Sequence, residues 1–514
     1  MTCAFPTTLE TKIGQMCFVG FEGLEAPEYL LSWLREGRVG GVILFARNVQ
    51  SPTQLAALTD SLQAAATYGV IVSIDQEGGT VARLRQGFTE SIGAMALACT
   101  DKAEYYTGHS SRVLGEEMRA LGIHWTYAPV VDISYNAENP SVGTRAFGKD
   151  VAQVSKLAAA AIRGFQSAGI AATAKHFPGL GDTAIDTHVA LPALDTPVDR
   201  LIAHDLDPYR AAIGENVASV MITHVMYTAL DADYPATLSP VLVKRLLREV
   251  LKFDGVVSTD CLEMHAISKH YTPAETAILA ALAGSDTILF SHTRAVQEEA
   301  YQALISAAQS GRLPLSVIDE ANRRLFAFKT RYLKPRTDLS VIRAPSHLDA
   351  MAAAARASVV MLKRGAALPL HGTIGIVEFP SLHESGIIET SGLTGLAQRL
   401  KARLPHLEVV IQQSNAEAAN AEQLAARVDT LILAVRNAHL SQPQLTIARR
   451  LLSMAHRVVL VCLRNPYDAG VLNGADTILL TCGDSTPSVA AAADALLGDF
   501  EPSGVLPVQI VGAR

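Results

Sequence analysis

Residues 175–188 concentrate ionisable side chains in a way that points to chemistry. These fourteen residues, KHFPGLGDTAIDTH, include one lysine, two histidines and two aspartates. One proline and two glycines among them favour a loop over a helix or a strand. The apolar residues just before them, 169–174, are typical of a short buried strand. Because polar loops at the ends of such strands usually face a ligand, this loop is the first candidate for a functional site.

The triplet Asp186-Thr187-His188 within this loop could perform acid–base chemistry. In extended backbone, residues i and i+2 point the same way, so the carboxylate can reach the imidazole two positions later. Such a carboxylate stabilises the imidazolium and orients the ring, which suits a histidine to donate and accept protons near neutral pH. The same pattern is also typical of an ion pair that only stabilises a loop. A catalytic interpretation therefore depends on partners elsewhere in the chain.

Further charged residues follow other apolar segments or turns. Asp260 comes directly after an apolar run, where it could be a nucleophile, a metal ligand or a helix cap. Asp75 also follows an apolar run, and Arg83 comes eight residues later. Arg145 follows the turn-forming stretch NPSVGT. Each arginine could bind substrate hydroxyls or form a structural ion pair.

A metal site is the main chemical alternative for the loop. Four of its side chains are of types that bind zinc: His176, Asp182, Asp186 and His188. Their spacing, H-x5-D-x3-D-x-H, matches no familiar zinc motif, and the positive charge of Lys175 competes with a cation. The glycine-rich phosphate-binding motifs are absent from the sequence as well. We therefore expect neither a metal nor an organic cofactor.

The composition excludes several classes of protein. Of 514 residues, 49% are apolar and 18% are charged, which predicts large folded cores. The net charge of −7 and the lack of a long basic run argue against nucleic-acid binding. Six scattered cysteines without a C-x-x-C pair favour reduced thiols. No apolar stretch reaches about 18 residues and no signal-peptide pattern begins the chain. We therefore expect a cytoplasmic protein with no membrane partner.

The elements that must position these side chains alternate between strand and helix patterns. Eight apolar runs alternate with segments of helical period over roughly the first 330 residues: 15–20, 41–45, 70–75, 125–131, 170–175, 219–224, 255–260 and 286–290. Eight such units predict an α/β fold with a (β/α)8 TIM-type barrel. A doubly wound open sheet is the alternative. The barrel is favoured because polar residues at the strand ends would converge on one mouth.

The residue composition of the sequence changes after residue 333. Residues 334–346 have the composition of a linker, and six further apolar runs follow it: 358–362, 374–379, 407–411, 430–435, 458–462 and 477–480. Helical segments lie between these runs. We therefore predict a catalytic barrel at residues 1–333, a linker at 334–346, and a smaller open α/β sandwich domain at 347–514.

Together these segments resemble glycoside hydrolase family 3, in particular its β-N-acetylglucosaminidase branch. The matching stretches come in family order: DQEGG at 75–79 with Arg83, then 139–148, 175–188 with LP at 191–192, 223–225 and 253–264. They cover most of the barrel region. Residues 357–363 and 504–508 resemble the second domain of that family. The DTH triplet resembles the feature that separates this branch from the family's β-glucosidases, which take a glutamate acid/base from elsewhere.

The resemblance implies a role for each candidate residue. Asp260 would be the nucleophile that forms a covalent glycosyl-enzyme intermediate, and His188 would be the acid/base paired with Asp186. Five residues would hold the terminal sugar: Asp75, Arg83, Arg145, Lys175 and His176. The implied activity is that of a retaining exo-β-N-acetylglucosaminidase acting by double displacement. Its substrates would be small β-linked N-acetylglucosamine conjugates, such as peptidoglycan fragments in cell-wall recycling.

Two positions depart from the family pattern. Leu180 stands where the loop usually reads G-H-G, and Thr80 stands where an arginine commonly follows the glycine pair. Neither is an assigned catalytic group, but either could change the shape or charge of the site. Three alternatives stay open: a phosphorylase with phosphate as the acceptor, a metal-dependent barrel hydrolase, and a sugar-binding protein without activity. The sequence does not specify the aglycone, the oligomeric state or the role of the second domain.

Overall fold

The computed structural model describes residues 4–380 and 395–512. Ten strands lie in the part of the first segment before residue 334, numbered in chain order: β1 Cys17–Val19, β2 Gly41–Leu44, β3 Ile71–Ile74, β4 Trp125–Thr126, β5 Thr173–Phe177, β6 Ala193–Leu194, β7 Ser219–Ile222, β8 Met226–Tyr227, β9 Val256–Thr259 and β10 Ile288–Phe290. The two-residue strands β6 and β8 pair only with each other. The other eight run parallel to their neighbours and are almost entirely buried.

These eight strands form a closed barrel. Hydrogen-bonded pairs join β10, β1, β2, β3 and β4 in one sheet and β5, β7 and β9 in another. Parallel bridges connect the two sheets at both edges, between Trp125 and Ala171 and between Ser258 and Thr287. The predicted barrel is therefore confirmed, and the open doubly wound alternative is wrong for this part of the chain.

Helices surround the barrel, and several of them begin at a polar side chain that caps the first turn. Their bounds are α1 Leu9–Met16, α2 Glu28–Glu36, α3 Pro52–Ala65, α4 Ala94–Ala98, α5 Ala103–Ala120, α6 Val151–Ser167, α7 Val198–Arg200, α8 Asp207–Gly214, α9 His265–Ser268, α10 Pro273–Ala283, α11 Arg294–Gln309 and α12 Leu315–Tyr332. Two π-helical segments, Leu201–Asp205 and Val241–Val250, complete this layer. Asp150, for example, caps α6 by accepting a hydrogen bond from the backbone N–H of Gln153 at 2.8 Å.

Aromatic side chains fill the barrel interior beneath the site. The Trp125 indole is fully buried, and its ring centroid lies 5.5 Å from that of Phe18 and 5.0 Å from that of Tyr127. Its Nε1–H donates to Thr173 Oγ1 at 2.7 Å and to Ser219 Oγ at 3.0 Å, so the one polar atom of the indole is satisfied. This packed layer gives the strand ends above it a rigid support.

The second domain is an open, mostly parallel sheet with helices. Its strands are β11 Val360–Lys363, β12 Ile374–Glu378, β13 Glu408–Ile411, β14 Thr430–Val435, β15 Val458–Cys462 and β16 Thr477–Leu480, in the spatial order β11-β16-β15-β14-β12-β13. Its helices are α13 Pro345–Ser358, α14 Leu396–Arg403, α15 Ala418–Arg427, α16 Gln442–Met454, α17 Asp468–Val471 and α18 Thr486–Leu496. This agrees with the predicted α/β sandwich, except that β11 runs antiparallel to β16.

The segment between the two domains is short and partly ordered. Helix α12 ends at Tyr332, a 3₁₀ turn spans Leu339–Val341, and α13 begins at Pro345, inside the predicted linker. We keep 1–333, 334–346 and 347–514 as the proposed division. Cys3 lies outside the described residues, whereas the five cysteines within them are all buried free thiols.

A buried histidine beneath the barrel makes the fold sensitive to acid. His124 precedes β4 and is 1% exposed, and its Nδ1 accepts a hydrogen bond from the Val72 N–H at 3.2 Å. Burial lowers the pKa of His124 from 6.5 to about 3. The neutral ring is therefore favoured in the folded state, and this contribution to stability is complete above pH 6.5 and is lost as the pH falls towards 3.

We expect His124→Gln to flatten the acid limb of the stability profile. In the native protein the free energy of unfolding should fall by about 1.4 kcal/mol per pH unit below pH 6.5 because of this one group. Urea unfolding between pH 7 and pH 4 measures the slope, and His270→Gln, at an exposed histidine, is the matched control. Equal slopes for both variants would contradict the assignment.

Candidate active site

The candidate residues converge on one cavity at the carboxyl ends of the barrel strands. The cavity has a volume of about 160 Å³. Six of the eight residues predicted from the sequence line it: Asp75, Arg83, Lys175, His176, His188 and Asp260. The other two lie behind this wall, where Asp186 contacts His188 and Arg145 contacts Glu77. The barrel therefore brings together residues that are up to 185 positions apart in sequence.

Asp260 lies just after β9 as a partly buried carboxylate. Its Oδ1 accepts a hydrogen bond from the Cys261 N–H at 2.7 Å. Burial raises the pKa of the Asp260 carboxyl, but the electrostatic effect of His224, the other histidines of the site and Lys175 outweighs burial and holds that pKa below its usual range. The side chain is therefore ionised at neutral pH, as a nucleophile requires.

His188 and Asp186 form the pair that the triplet predicts. His188 Nδ1 lies 2.7 Å from Asp186 Oδ1, and the His188 backbone N–H donates to the same oxygen at 2.9 Å. The Asp186 side chain is 6% exposed, whereas that of His188 is 26% exposed. With Nδ1–H donated to the carboxylate, Nε2 is the ring nitrogen that can exchange a proton with a ligand in the cavity.

A chain of buried charges forms the opposite wall. Lys175 Nζ lies 2.9 Å from Asp75 Oδ1 and 2.7 Å from Glu77 Oε1. Glu77 also accepts two hydrogen bonds from Arg145, each at 2.8 Å. Arg83 lies 3.5 Å from the other Asp75 oxygen. Burial is the largest influence on Lys175 and lowers its pKa, but the carboxylates Asp75 and Glu77 raise that pKa above its usual range. These fixed charges suit the binding of sugar hydroxyls.

His176 is oriented by a carboxylate that the sequence analysis did not assign to the site. Its Nδ1 lies 2.7 Å from Asp132 Oδ2, and Asp132 Oδ1 accepts the Leu180 N–H at 2.7 Å. The Arg145 Nη2 lies 3.5 Å from His176 Nε2. Asp132 therefore fixes both the imidazole of His176 and the backbone at Leu180, and Arg145 contacts the same imidazole.

The two departures from the family pattern are accommodated outside the cavity. Leu180 is 3% exposed and packs into the barrel core, while its carbonyl accepts the Asn139 side-chain amide at 2.8 Å. Thr80 is also buried, and its hydroxyl lies 3.1 Å from that of Thr144. Neither side chain lines the cavity. Their effect on the site is therefore indirect.

Several residues of the site were not assigned from the sequence. Glu77 lies in the DQEGG stretch, two positions after Asp75, and extended backbone points both side chains the same way. Phe45 and His292 form an aromatic rim with ring centroids 5.2 Å apart, although 247 residues separate them in sequence. Tyr127 lines the cavity floor. Only the closed barrel brings such residues together.

Replacing Glu77 with glutamine should destabilise the protein and weaken sugar binding. The neutral amide would leave Arg145 and Lys175 buried with less compensating charge, so we expect the free energy of unfolding to fall by about 3 kcal/mol. The KM for a sugar substrate should rise, because Arg145 and Lys175 both lose the carboxylate that holds them in position. Denaturant unfolding and KM measure the two effects.

A matched control for this change lies on the surface. Glu104 also pairs with a lysine and an arginine, at 3.0 Å from Lys156 and 2.9 Å from Arg163, but these partners are exposed. Glu104→Gln should leave both measurements near their native values, because exposed ion pairs contribute little. Equal losses in the two variants would rule out a special role for Glu77.

Neither a metal cluster nor a membrane helix is found in the described part of the chain. Within residues 4–380 and 395–512, no three His, Cys, Asp or Glu side chains are grouped so that they could hold a metal ion. His176 and His188 instead pair with different carboxylates. Over the same residues, every helix is too short or too polar to cross a bilayer.

Comparison with known proteins gives a consistent picture. Residues 8–328 match the family model described as the glycosyl hydrolase family 3 N-terminal domain. The chain is 32% identical to beta-hexosaminidase A of Pseudoalteromonas piscicida over 68% of its own length and 64% of that protein. It thus spans just under two thirds of that relative. It is 37% identical to a beta-hexosaminidase of Stenotrophomonas maltophilia (strain K279a) over 55% of its own length and 85% of that protein.

A solved structure is similar over both domains. A glycoside hydrolase family 3 β-N-acetylglucosaminidase from Paenibacillus sp. str. FPU-7 superposes with a TM-score of 0.92 at 34% identity. The match covers 99% of the present chain and 100% of that one. The similarity therefore includes the second domain as well as the barrel.

Proposed function

Because the chain belongs to glycosyl hydrolase family 3, we propose that it is a retaining exo-β-N-acetylglucosaminidase that removes terminal β-linked N-acetylglucosamine. The observation that carries the proposal is the shared cavity, in which an ionised carboxylate on a strand end faces an imidazole on a loop. The named relatives and the solved structure of similar fold support the choice of sugar.

The first chemical step joins the sugar to the protein. Asp260 attacks the anomeric carbon while His188 Nε2 donates its proton to the glycosidic oxygen, so the bond to the leaving group breaks and a covalent glycosyl ester forms. Asp186 stabilises the imidazolium before this transfer and holds the ring in place. A neutral acid beside an anionic nucleophile is the usual pairing; here a cationic acid attracts Asp260 and keeps it ionised.

The second step releases the sugar. The neutral His188 accepts a proton from a water molecule, whose oxygen attacks the anomeric carbon and displaces Asp260. Two inversions give net retention of the β configuration. Asp75, Arg83, Arg145, Lys175 and His176 hold the sugar throughout, by hydrogen bonds directly or through the buried charges behind the wall.

We further propose a small carbohydrate substrate and a cytoplasmic location. A 160 Å³ cavity at the barrel mouth fits one terminal sugar unit, which is consistent with exo-cleavage of short conjugates. The free buried cysteines fit a reducing compartment. Recycling of peptidoglycan fragments is the biological role that we propose for such an activity.

A panel of aryl glycosides tests the proposal. The 4-nitrophenyl β-glycosides of N-acetylglucosamine and glucose are assayed with and without inorganic phosphate, and the released sugar is identified. We expect hydrolysis of the N-acetylglucosaminide, free N-acetylglucosamine as the product in both buffers, and β-configured methyl glycoside when methanol is added. Sugar 1-phosphate as the main product would identify a phosphorylase instead, and preference for glucose would overturn the assigned substrate.

A further inference from the structure

The loop that carries Arg145 is held from the outside by the second domain. This segment, residues 134–149, connects the end of β4 with α6 and is called the Arg145 loop here. Contacts from the second domain reach it near its beginning, its middle and its end. Because the loop carries a residue of the sugar-binding wall, these contacts link the second domain to the active site.

Two side chains of the second domain hold the first half of the loop. The Tyr467 hydroxyl lies 3.2 Å from the Ser134 hydroxyl. His439 Nε2 lies within hydrogen-bond distance of the carbonyl oxygen of Ala137, at 3.2 Å. His439 and Tyr467 follow β14 and β15, two central strands of the second sheet, and both contact the part of the loop that leads to Asn139.

His439 is itself fixed by a buried carboxylate. Its Nδ1 lies 2.6 Å from Asp468 Oδ1, and its backbone N–H donates to the same oxygen at 2.9 Å. Asp468 is fully buried at the start of α17. The imidazole therefore has one orientation, in which Nε2 points at the barrel. The Asp468 carboxylate thus orients the imidazole, and the imidazole in turn contacts a backbone carbonyl.

The second half of the loop is held by close packing. A Cβ atom added at Gly143 would lie 2.9 Å from Asn465 Oδ1, so the backbone approaches this second-domain residue as closely as glycine permits. Asn465 is in turn bonded to Asn437 at 2.8 Å. At the end of the loop the Lys149 N–H donates to the Pro507 carbonyl at 3.3 Å.

Hydrogen bonds inside the loop carry this restraint to the site. Asn139 Oδ1 accepts the N–H groups of Ser141 and Val142 at 2.9 and 2.8 Å, and the Ser141 carbonyl accepts from Arg145 Nη1 at 2.8 Å. Arg145 then binds Glu77 through two further hydrogen bonds. A shift at Ala137 or Gly143 is therefore transmitted to the guanidinium and to the buried charges behind the sugar.

We propose that His439 is a positioning residue for substrate binding, which holds the Arg145 loop through the Ala137 carbonyl. Tyr467 and Asn465 act on the same loop at Ser134 and Gly143. The inference rests on the proposed glycosidase activity for its kinetic test, because Arg145 is assigned to the sugar-binding wall. It gives the second domain a function in the reaction although no residue in the described parts of that domain, up to 380 and 395–512, lines the cavity.

The test separates positioning from general stabilisation of the domain interface. His439→Ala should raise KM for 4-nitrophenyl β-N-acetylglucosaminide by about tenfold and change kcat by less than about twofold, since binding in the ground state is what Arg145 supports. His439→Gln keeps an N–H donor and should recover part of the loss. Thr486→Ala is the control, because the Thr486 hydroxyl binds Glu90 across the same interface at a distance from the loop. An equal rise of KM in the control would overturn the proposal.

Two further measurements keep the proposal testable whatever the activity. Hydrogen–deuterium exchange of residues 134–149 should increase in His439→Ala and not in Thr486→Ala, and this readout needs no substrate. Unchanged exchange would overturn the proposal even if the enzyme is active. If His439→Ala does not fold, Tyr467→Phe and Ser134→Ala break one shared contact from its two sides. Their effects on KM should match and should not add in the double variant, whereas additive effects would count against the loop contact.

Discussion

Asp260→Asn is expected to abolish turnover while leaving the fold intact. The asparagine side chain has the same shape, and its Oδ1 can still accept the Cys261 N–H that Asp260 accepts at 2.7 Å. It cannot form the glycosyl ester, because a neutral amide is a poor nucleophile. We expect kcat for 4-nitrophenyl β-N-acetylglucosaminide to fall by a factor on the order of 10⁴ to 10⁶, as when a catalytic nucleophile is removed elsewhere.

The control for this variant is sugar binding. Lys175, Asp75 and Glu77 keep their contacts in Asp260→Asn, so N-acetylglucosamine should still bind with an affinity close to that of the native protein. Isothermal titration with the sugar and a thermal melt measure binding and folding separately. Turnover within about tenfold of the native rate would show that another group is the nucleophile.

His188→Ala is expected to cause a loss that depends on the leaving group. A good leaving group such as 2,4-dinitrophenolate departs without a proton, whereas an alkoxide needs one. We therefore expect kcat/KM to fall by about 10³ to 10⁴ for a methyl or benzyl glycoside and far less for the dinitrophenyl glycoside. The slope of log kcat/KM against the pKa of the leaving group should become steeper in the variant.

A partner variant distinguishes acid catalysis from simple loop damage. Asp186→Asn keeps a side-chain oxygen near the His188 backbone N–H, which lies 2.9 Å from Asp186 Oδ1, but it withdraws the negative charge that supports the imidazolium. The alkaline limb of the pH profile of kcat/KM should move to lower pH in this variant, because the first step needs the protonated ring and that form is less stable without the carboxylate. Equal losses for all leaving groups in His188→Ala would count against an acid role.

Much of the barrel could be predicted because its strands are short, buried and apolar. Each of the eight predicted runs overlaps one barrel strand, and Asp75 and Asp260 lie just beyond a strand end. Strand β5 extends to Phe177, two residues past the predicted run, so Lys175 and His176 lie on the strand and not in the predicted loop.

The lengths of the individual strands were harder to predict. Strand β4 has only two residues. Beyond Thr126 the backbone still bonds to both neighbouring strands, at Tyr127 and Val131, but Pro129 has no N–H and interrupts the regular hydrogen-bond pattern. The run 358–362 predicted edge strand β11 but not its antiparallel direction, because an apolar pattern reads the same in either direction.

The parts of the site that could not be predicted are those that depend on distant contacts. Asp132 belongs to no recognised motif, and its contact with His176 depends on the neighbouring position of β4 and β5. His439 and Ala137 are 302 residues apart in sequence, so no local pattern links them. Patterns of charge and spacing in the sequence describe single helices and strands. The contact of Asp132 with His176 depends on how two strands pack, and that of His439 with Ala137 depends on how two domains pack.

The partial exposure of His188 has a consequence for how this side chain regains its proton between catalytic cycles. About a quarter of the His188 side chain is open to solvent. The His188 ring can therefore exchange protons with the buffer directly, and no chain of proton-transferring groups through the barrel is required. General buffer catalysis and a solvent isotope effect confined to one exchangeable site are the kinetic signatures of such a design.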